Sequence, residues 1–413
     1  MKLFFLLLVT LALRLFQLGT PSAYVFDEVY HVPSIRAISQ NNRDAYDPFA
    51  KAPEPNTAYD WLHPPLAKLL QAGSVRLLGD NSFAWRFPSA VFGTASVAAL
   101  YFLALALFNS QPLALLAAAI FSFDNLQLTM SRIAMNDIFV TTWIILALAF
   151  FFKFIKGPFF ANAKAGPYRY LFLTGLFTGL ALATKHSAIL LYPIFLIFLI
   201  PKLIKNLKLF FPAFLCFLVL PALIYLLSYS QLFLLGGSLK DFIDLHKQTF
   251  YYQTHLTATH TYQSAAWQWP LLIRPVWFYV NYLQDSIANI YNLGNPAIFW
   301  GGLIALAQGP FFLKGRSFAL AKVRPYWYLL ISYFFLFFPF LFSPRIMFLH
   351  HYLPALPFLC LIFAKAVSGL PSKIIKFTML IIVIVFFFFY PINTAIPLPN
   401  NLLKFWFWLP TWR

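Results

Sequence analysis

The sequence predicts a polytopic α-helical membrane protein, and three observations support that prediction. Hydrophobic residues make up 61% of the 413-residue chain and charged residues only 10%, whereas about 25% of a soluble globular domain is charged. Apolar runs of about 17–25 residues, long enough to cross a bilayer as a helix, recur along the chain. These runs are continuous rather than alternating, which favours helices over a β-barrel.

The apolar runs predict about eleven transmembrane helices within one membrane domain, residues 1–391. The first run resembles a signal peptide, but Arg14 interrupts its apolar core, so a retained helix is expected. Outer loops are predicted at 20–82 and 230–295, and a short outer tail at 392–413. The predicted spans are 3–18, 83–108, 112–127, 137–154, 170–183, 188–200, 209–229, 297–313, 326–342, 346–364 and 374–390.

The charged residues are distributed unevenly, and this asymmetry predicts the orientation. Lys and Arg beside membrane spans mark the cytoplasmic side, so the N-terminus is expected in the cytoplasm and the protein in the plasma membrane. All twelve carboxylates and all eight histidines then fall in outer loops or at outer helix ends, so the working surface should face outward. The four inner loops, which lack acidic residues, hold Lys153, Lys156, Lys164 and Arg169; Lys202, Lys205 and Lys208; Lys314, Arg316, Lys322 and Arg324; and Lys365, Lys373 and Lys376.

The basic inner loops also account for much of the net charge of +18, so nucleic-acid binding is not expected. The two cysteines lie inside apolar runs, which argues against a disulfide framework or a zinc cluster. A transporter would show paired repeats and polar groups near the middle of the membrane. Here the polar residues gather at one face, which counts against that class.

The first predicted outer loop, 20–82, holds seven of the twelve carboxylates of an otherwise mostly apolar chain. Two interfacial helices are predicted in it, one after Tyr24 and one that begins at Pro64-Pro65 and ends at Gly79. Asp27 and Glu28 are either solvated loop acids or a catalytic pair. Adjacent side chains on a helix diverge by about 100°, so a pair would supply one base and one helper.

Several outward-facing strings are candidates for binding an anion. In His63-Pro64-Pro65-Leu66-Ala67-Lys68, a histidine and a lysine flank a helix start whose free N–H groups carry partial positive charge; the alternative is a plain helix-start turn. Arg132 and Asp137 lie between two spans, and Lys185-His186 lies at another outer turn. Arg274 and Arg345 supply cations where a lipid phosphate would lie. His350-His351 could suggest a metal, but adjacent histidines point apart on a helix, so none is predicted.

Taken together, these strings resemble the protein O-mannosyltransferase family, most closely its bacterial branch. That family belongs to the GT-C class of membrane glycosyltransferases, which use polyprenyl-phosphate sugars. The resemblance covers roughly residues 24–360, with the motifs in the family's order. The motifs are Asp27-Glu28, His63 to Lys68, Arg132 to Asp137, Trp-Pro-Leu-Leu-Ile-Arg-Pro at 269–275, Leu293 to Ala297, and Arg-Ile-Met-Phe-Leu-His-His-Tyr-Leu-Pro-Ala-Leu-Pro-Phe at 345–358.

The resemblance implies a GT-C-like fold and an inverting transfer of mannose from a polyprenyl-phosphate donor to Ser or Thr hydroxyls of exported proteins. It makes Asp27 the catalytic carboxylate and Glu28 its neighbour in acceptor or sugar binding. No cofactor is expected, and a divalent metal stays open as an alternative. The residues implied for binding the donor phosphate or sugar are His63, Lys68, Arg132, Asp137, Arg274 and Arg345.

This chain departs from the family pattern at three places. No large β-rich domain is inserted in the second outer loop, Leu62 stands where some relatives have a carboxylate, and His350 stands where a tyrosine is expected. The main alternative is a polyprenyl-phosphate-sugar transferase that modifies an envelope glycolipid, such as an aminoarabinose transferase. The sugar, the polyprenyl length, the acceptor, the oligomeric state and the choice of base between Asp27 and Glu28 stay open.

Overall fold

The computed structural model describes residues 1–157, 168–314 and 320–413, without the side chains of 309–324. The predicted inner-loop residues Lys164 and Arg316, and the side chains of Lys314, Lys322 and Arg324, lie outside the described part. The α-helices are α1 Lys2–Leu15, α2 Glu28–Ser39, α3 Leu66–Leu78, α4 Ser82–Phe108, α5 Gln111–Ser122, α6 Asn125–Met130, α7 Asp137–Lys156, α8 Tyr168–Leu182, α9 Leu191–Lys205, α10 Phe210–Phe214, α11 Leu220–Ser228, α12 Ser230–Leu234, α13 Leu239–His255, α14 Pro296–Lys314, α15 Leu320–Phe337, α16 Leu356–Val367 and α17 Ser372–Asn393.

The predicted helical membrane fold is confirmed. Within the described residues, six helices are long and apolar enough to cross a membrane, and three shorter helices are also apolar. A helix lies at each predicted span, but not all are long enough to cross alone, so the count of eleven crossings is not confirmed. The six long segments are Ser82–Phe108, Asp137–Lys156, His186–Lys205, Leu207–Ser228, Pro325–Phe342 and Ser372–Asn393.

Two predicted spans are shortened by local chemistry. The span predicted at 112–127 ends at Ser122, because the Asp124 carboxylate accepts the Gln127 N–H at 2.9 Å and starts α6 as a separate helix. In the span predicted at 346–364, α16 begins only at Leu356. The residues before it form the short 3-10 turn Leu349–Tyr352, which contains the histidine pair.

Close helix packing forms the centre of the bundle, where α7 lies between α4 and α8. The α8 helix also packs against α11 and the π-helical turn Leu215–Val219 that precedes it. Gly175 makes this approach possible, because a Cβ at that position would overlap the carbonyl oxygen of Cys216.

The loop predicted at 230–295 contains part of a small sheet, which was not expected from the sequence. Strands β1 Val276–Tyr282 and β2 Ser286–Asn292 pair antiparallel, with Val276 opposite Asn292. The tail contributes β3 Leu398–Pro399 on the far side of β2. The order β1-β2-β3 leaves β1 at an edge, where the Phe278 carbonyl accepts the Phe26 N–H at 3.2 Å. The sheet is thus joined to the residue before Asp27.

Both helices predicted in the first outer loop are present, as α2 and α3. The α3 helix ends at Gly79, whose φ of +83° suits glycine. The α2 and α3 helices pack on each other, and α3 packs on α4. The start of α2 and the segment before α3 are thereby held against the membrane domain.

Candidate active site

A cavity of about 1140 Å³ lies beneath the loop at 20–82, and many polar side chains line it. Six parts of the chain form its wall: the start of α2, the segment before α3, the start of α7, the turn between α8 and α9, the α13 region, and the segment at 343–351. Seven of the eight histidines line it. They are His31, His63, His186, His246, His260, His350 and His351.

Asp27 lines this cavity at the N-terminus of α2. Among the described residues its carboxylate has no hydrogen-bond or ion-pair partner. Burial raises the pKa of Asp27 to about 6; His31 opposes this shift, while the negative charges of Asp137 and Asp60 add to it. An unpaired carboxylate with a pKa near neutrality is suited to accept a proton from a substrate.

Phe26 fixes the direction of the chain just before Asp27. Its φ of +50° is rare for a residue with a side chain and costs about 1–2 kcal/mol. Its ring stacks on Phe278 with centroids 4.3 Å apart, and its edge meets Phe348 at 5.5 Å. These contacts hold a strained backbone at the cavity wall, as is common near functional residues.

Glu28 has the opposite environment from Asp27. It is fully buried, and Arg86 donates to both of its oxygens, at 2.8 and 2.6 Å. The backbone N–H groups of Val25 and Ala134 also donate to it, each at 2.9 Å. Glu28 does not line the cavity. It ties α2 to α4 and to the α6–α7 connection, so its predicted part in acceptor or sugar binding stays untested.

Asp60 is the centre of a buried polar cluster beside Asp27. Its carboxylate oxygens lie 2.8 Å from His63 Nδ1, 3.1 Å from His31 Nδ1 and 3.0 Å from Lys68 Nζ. Burial opposes ionisation, but His63, Lys68 and His31 outweigh it and hold the pKa of Asp60 well below its usual range. The cluster orients His31 and His63 on the cavity wall.

The start of α7 contributes two polar residues to the cavity. Asp137 is 2% exposed and accepts a hydrogen bond from Lys185 Nζ at 2.7 Å. Asn136 lies beside it and also faces the cavity. Asp137 and Lys185 both lie in candidate strings of the sequence, and the structure pairs them across α7 and the α8–α9 turn.

The segment at 343–351 forms another wall. Arg345 lines the cavity, and its Nε has no hydrogen-bond partner among the described residues. His350 and His351 stack with centroids 4.4 Å apart. Burial lowers the pKa of each imidazole well below its usual range; nearby Lys185 contributes, and His350 does so for His351. Both imidazoles are therefore neutral near pH 7.

Three predicted phosphate ligands do not line this cavity. Lys68 is bound to Asp60, as described above. Arg132 donates to the carbonyls of Arg14 and Phe16, each at 2.7 Å. Arg274 donates to the Thr411 carbonyl at 2.7 Å and lies over the Tyr262 ring. The structure gives these cations structural partners, and their roles toward a phosphate stay predictions.

Sequence reasoning missed functional candidates that the structure brings together. No motif in the sequence assigns a role to His31, Asp60 or Asn136. The spacing of four residues from Asp27 to His31 was an available signal, because it places both on one helix face. The described residues contain no group of three or more His, Cys, Asp or Glu side chains placed to hold a metal. The expectation of no cofactor stays a prediction.

Comparison with known proteins identifies the family. The model of dolichyl-phosphate-mannose-protein mannosyltransferase matches residues 4–234, and that of the C-terminal four-transmembrane region of protein-O-mannosyltransferase matches 238–412. The chain belongs to the protein O-mannosyltransferase family. A polyprenol-phosphate-mannose–protein mannosyltransferase of Corynebacterium glutamicum is 25% identical to it, over 96% of this chain and 89% of the relative. The predicted resemblance and the glycosyltransferase class are confirmed.

Solved structures agree on the fold of this O-mannosyltransferase family member. The S. cerevisiae protein O-mannosyltransferase Pmt1-Pmt2 complex bound to the sugar donor superposes with a TM-score of 0.82, at 17% identity, over all of this chain and 92% of that one. ArnT from Cupriavidus metallidurans bound to undecaprenyl phosphate gives 0.60 at 14% identity, over 91% of this chain and 61% of that one. The GT-C-like fold is thereby confirmed.

Proposed function

We propose that this protein transfers mannose, with inversion, from a polyprenyl-phosphate donor to Ser or Thr hydroxyls of exported proteins, and that the reaction takes place in the cavity. We assign the site mainly from Asp27, whose carboxylate faces the cavity without a partner among the described residues and has a pKa near 6. The family match and the name of the bacterial relative support the donor and the protein acceptor.

The proposed reaction needs one base and no separate acid. The acceptor hydroxyl donates its proton to Asp27 as its oxygen bonds to C1 of the sugar, on the face opposite the phosphate. The C1–O bond to the phosphate breaks, and its electron pair stays on the leaving polyprenyl phosphate. Asp27 then releases the proton to water in the cavity. The phosphate already carries charge, so its departure requires stabilisation rather than protonation.

Arg345 has the best position among the predicted cations to stabilise that phosphate. It lines the cavity and keeps an unused N–H group, and a guanidinium binds phosphate oxygens through a fixed array of donors. His63 also lines the cavity, but its Nδ1 donates to the Asp60 carboxylate, so its Nε2 can donate to a phosphate only when the ring is protonated. The Lys185 ammonium is already bound to Asp137, so it would stabilise the phosphate mainly through its positive charge at a distance rather than by direct contact.

The proposed orientation follows from the charge distribution. The basic loops would lie in the cytoplasm and the cavity on the outer side of the plasma membrane, where exported polypeptides emerge. A lipid-linked donor suits this side, because its sugar–phosphate bond supplies the free energy where nucleotide sugars are absent.

The test uses the purified protein in lipid with radiolabelled polyprenyl-phosphate-mannose and two acceptors, a Ser/Thr-rich peptide and an envelope lipid extract. We expect label in the peptide with the wild type and loss of that transfer in Asp27→Asn. The matched control is Asp44→Asn, an exposed carboxylate of the same loop that does not line the cavity; it should transfer normally. Label only in lipid, or full activity of Asp27→Asn, would contradict the proposal.

A further inference from the structure

One side-chain amide on the cavity wall has both of its hydrogen-bonding groups unused. Asn136 is 1% exposed and lines the cavity, and neither Oδ1 nor Nδ2 has a partner among the described residues. It precedes α7 without capping it. Buried polar groups in folded proteins nearly always have partners. The described part of the protein leaves both groups without a partner, so a ligand group seated against this part of the cavity wall would supply the missing hydrogen bonds.

The surroundings of Asn136 indicate a neutral ligand group. Its neighbour Asp137 is already paired with Lys185 at 2.7 Å, so that carboxylate is not free to bind. His350 faces the same cavity, is 3% exposed and has an unused Nδ1. Asn136 and His350 thus offer uncharged hydrogen-bonding groups to a ligand in the cavity. The Arg345 guanidinium, by contrast, suits a phosphate.

We propose that the Asn136 amide binds two adjacent hydroxyl groups of the transferred sugar. Nδ2 would donate to one sugar oxygen while Oδ1 accepts from the next O–H. Adjacent ring hydroxyls match this pattern because each can both donate and accept. A phosphate oxygen only accepts, so it would leave Oδ1 facing a negative charge. This inference rests on the proposed function and makes Asn136 a determinant of sugar specificity.

Gln71 provides an internal control for this argument. It is fully buried on α3, and both of its amide atoms also lack partners, but it does not line the cavity. An effect of losing a buried amide in general would therefore occur equally at both positions. Of these two amides, only that of Asn136 lies where it can contact a ligand in the cavity.

The experiment compares wild type, Asn136→Leu and Gln71→Leu with five donors: polyprenyl-phosphate-mannose and its 2-, 3-, 4- and 6-deoxy forms. We expect two neighbouring deoxy donors to lower the wild-type kcat/KM by about 10- to 100-fold. Asn136→Leu should lose a similar factor with mannose and show no further loss with those two donors. This coupling between a protein group and a donor hydroxyl is not expected from a general loss of stability. Gln71→Leu should keep the wild-type pattern.

The possible outcomes separate this inference from the function on which it rests. An equal loss with all five donors in Asn136→Leu, or wild-type kcat/KM in that variant, would overturn it. If Asn136→Leu does not fold, the wild-type measurements still test the inference. It is overturned if no two deoxy donors that lack adjacent hydroxyls lower the wild-type kcat/KM. Absence of mannose transfer by the wild type would overturn the proposed function, and this inference with it.

Discussion

The Arg86 guanidinium and the Glu28 carboxylate form a buried two-point ion pair, with nitrogen–oxygen distances of 2.8 and 2.6 Å. The adjacent carboxylate, Asp27, has no such partner and faces the cavity. Two neighbouring acids thus have different environments, one built into the scaffold and one open to substrate. This difference supports Asp27 rather than Glu28 as the base.

Removing Glu28 should damage the fold and the activity together. Glu28→Ala would leave Arg86 buried without its anion, at a cost of about 3–5 kcal/mol. We expect thermal unfolding in detergent to shift down by about 5–10 °C, with a parallel loss of transfer. Unchanged unfolding with complete loss of transfer would instead assign Glu28 a direct part in the chemistry.

Removing the charge of Asp27 should not weaken the fold. Its folded pKa of about 6 lies above the ordinary value of 3.8, so ionisation is less favourable in the folded state than in the unfolded state. Stability should therefore fall as pH rises between these two values. Asp27→Asn should unfold at the wild-type temperature or above it at pH 7.5, while losing transfer. A clearly lower unfolding temperature would contradict this account.

The Asp60 cluster should be a stability element. Asp60→Asn leaves the Lys68 ammonium, only 2% exposed, without its anion, and we expect a loss of about 3–5 kcal/mol. The double variant Asp60→Asn with Lys68→Met should recover part of that loss, because the unpaired cation is gone. Equal stability of the single and double variants would show that the pair is not coupled.

The same cluster predicts a dependence of stability on pH. The pKa of Asp60 is held below its ordinary value in the folded protein, so its contribution is complete above about pH 4. The contribution should disappear as pH falls further through the folded pKa. Acid unfolding of wild type should therefore be steeper than that of Asp60→Asn below pH 4, as measured by tryptophan fluorescence.

The same substitution at two arginines should have different effects, although the sequence predicts phosphate binding for both. Arg345→Met removes a cation from the cavity wall and should raise the donor KM about tenfold, with little change in unfolding temperature. Arg274→Met removes the side chain that bonds the carbonyls of Thr411 and Thr261 and should lower the unfolding temperature instead. A raised donor KM with unchanged stability in Arg274→Met would restore the prediction that it binds the phosphate.

The membrane helices could be predicted because bilayer thickness fixes how long an apolar run must be. The boundaries that failed depend on polar side chains inside those runs. Asp124 divides one predicted span by capping α6, which hydropathy averaged over a window does not reveal. The sheet did carry a signal: β1 and β2 are rich in aromatic and β-branched residues and are separated by only three residues, 283–285.

The site was only partly predictable, because its wall combines segments far apart in the chain. The motifs selected Asp27, His63, Asp137 and Arg345, and all four line the cavity. Sequence spacing could not show that Arg132 and Arg274 would be bound by backbone carbonyls. Nor could it show that Asn136 would be buried with an unused amide, since that depends on three-dimensional packing.

The central claim is that Asp27 is the base that activates the acceptor hydroxyl, and the pH dependence of transfer tests it most directly. The measurement is kcat/KM for mannose transfer to the peptide from pH 4.5 to 8, in wild type, Asp27→Asn and Asp44→Asn. We predict that wild type and Asp44→Asn rise tenfold per pH unit up to about pH 6 and then level off. Asp27→Asn should retain at most about a thousandth of the rate, without that rise. A wild-type rate independent of pH across this range, or Asp27→Asn with the wild-type profile, would contradict the account.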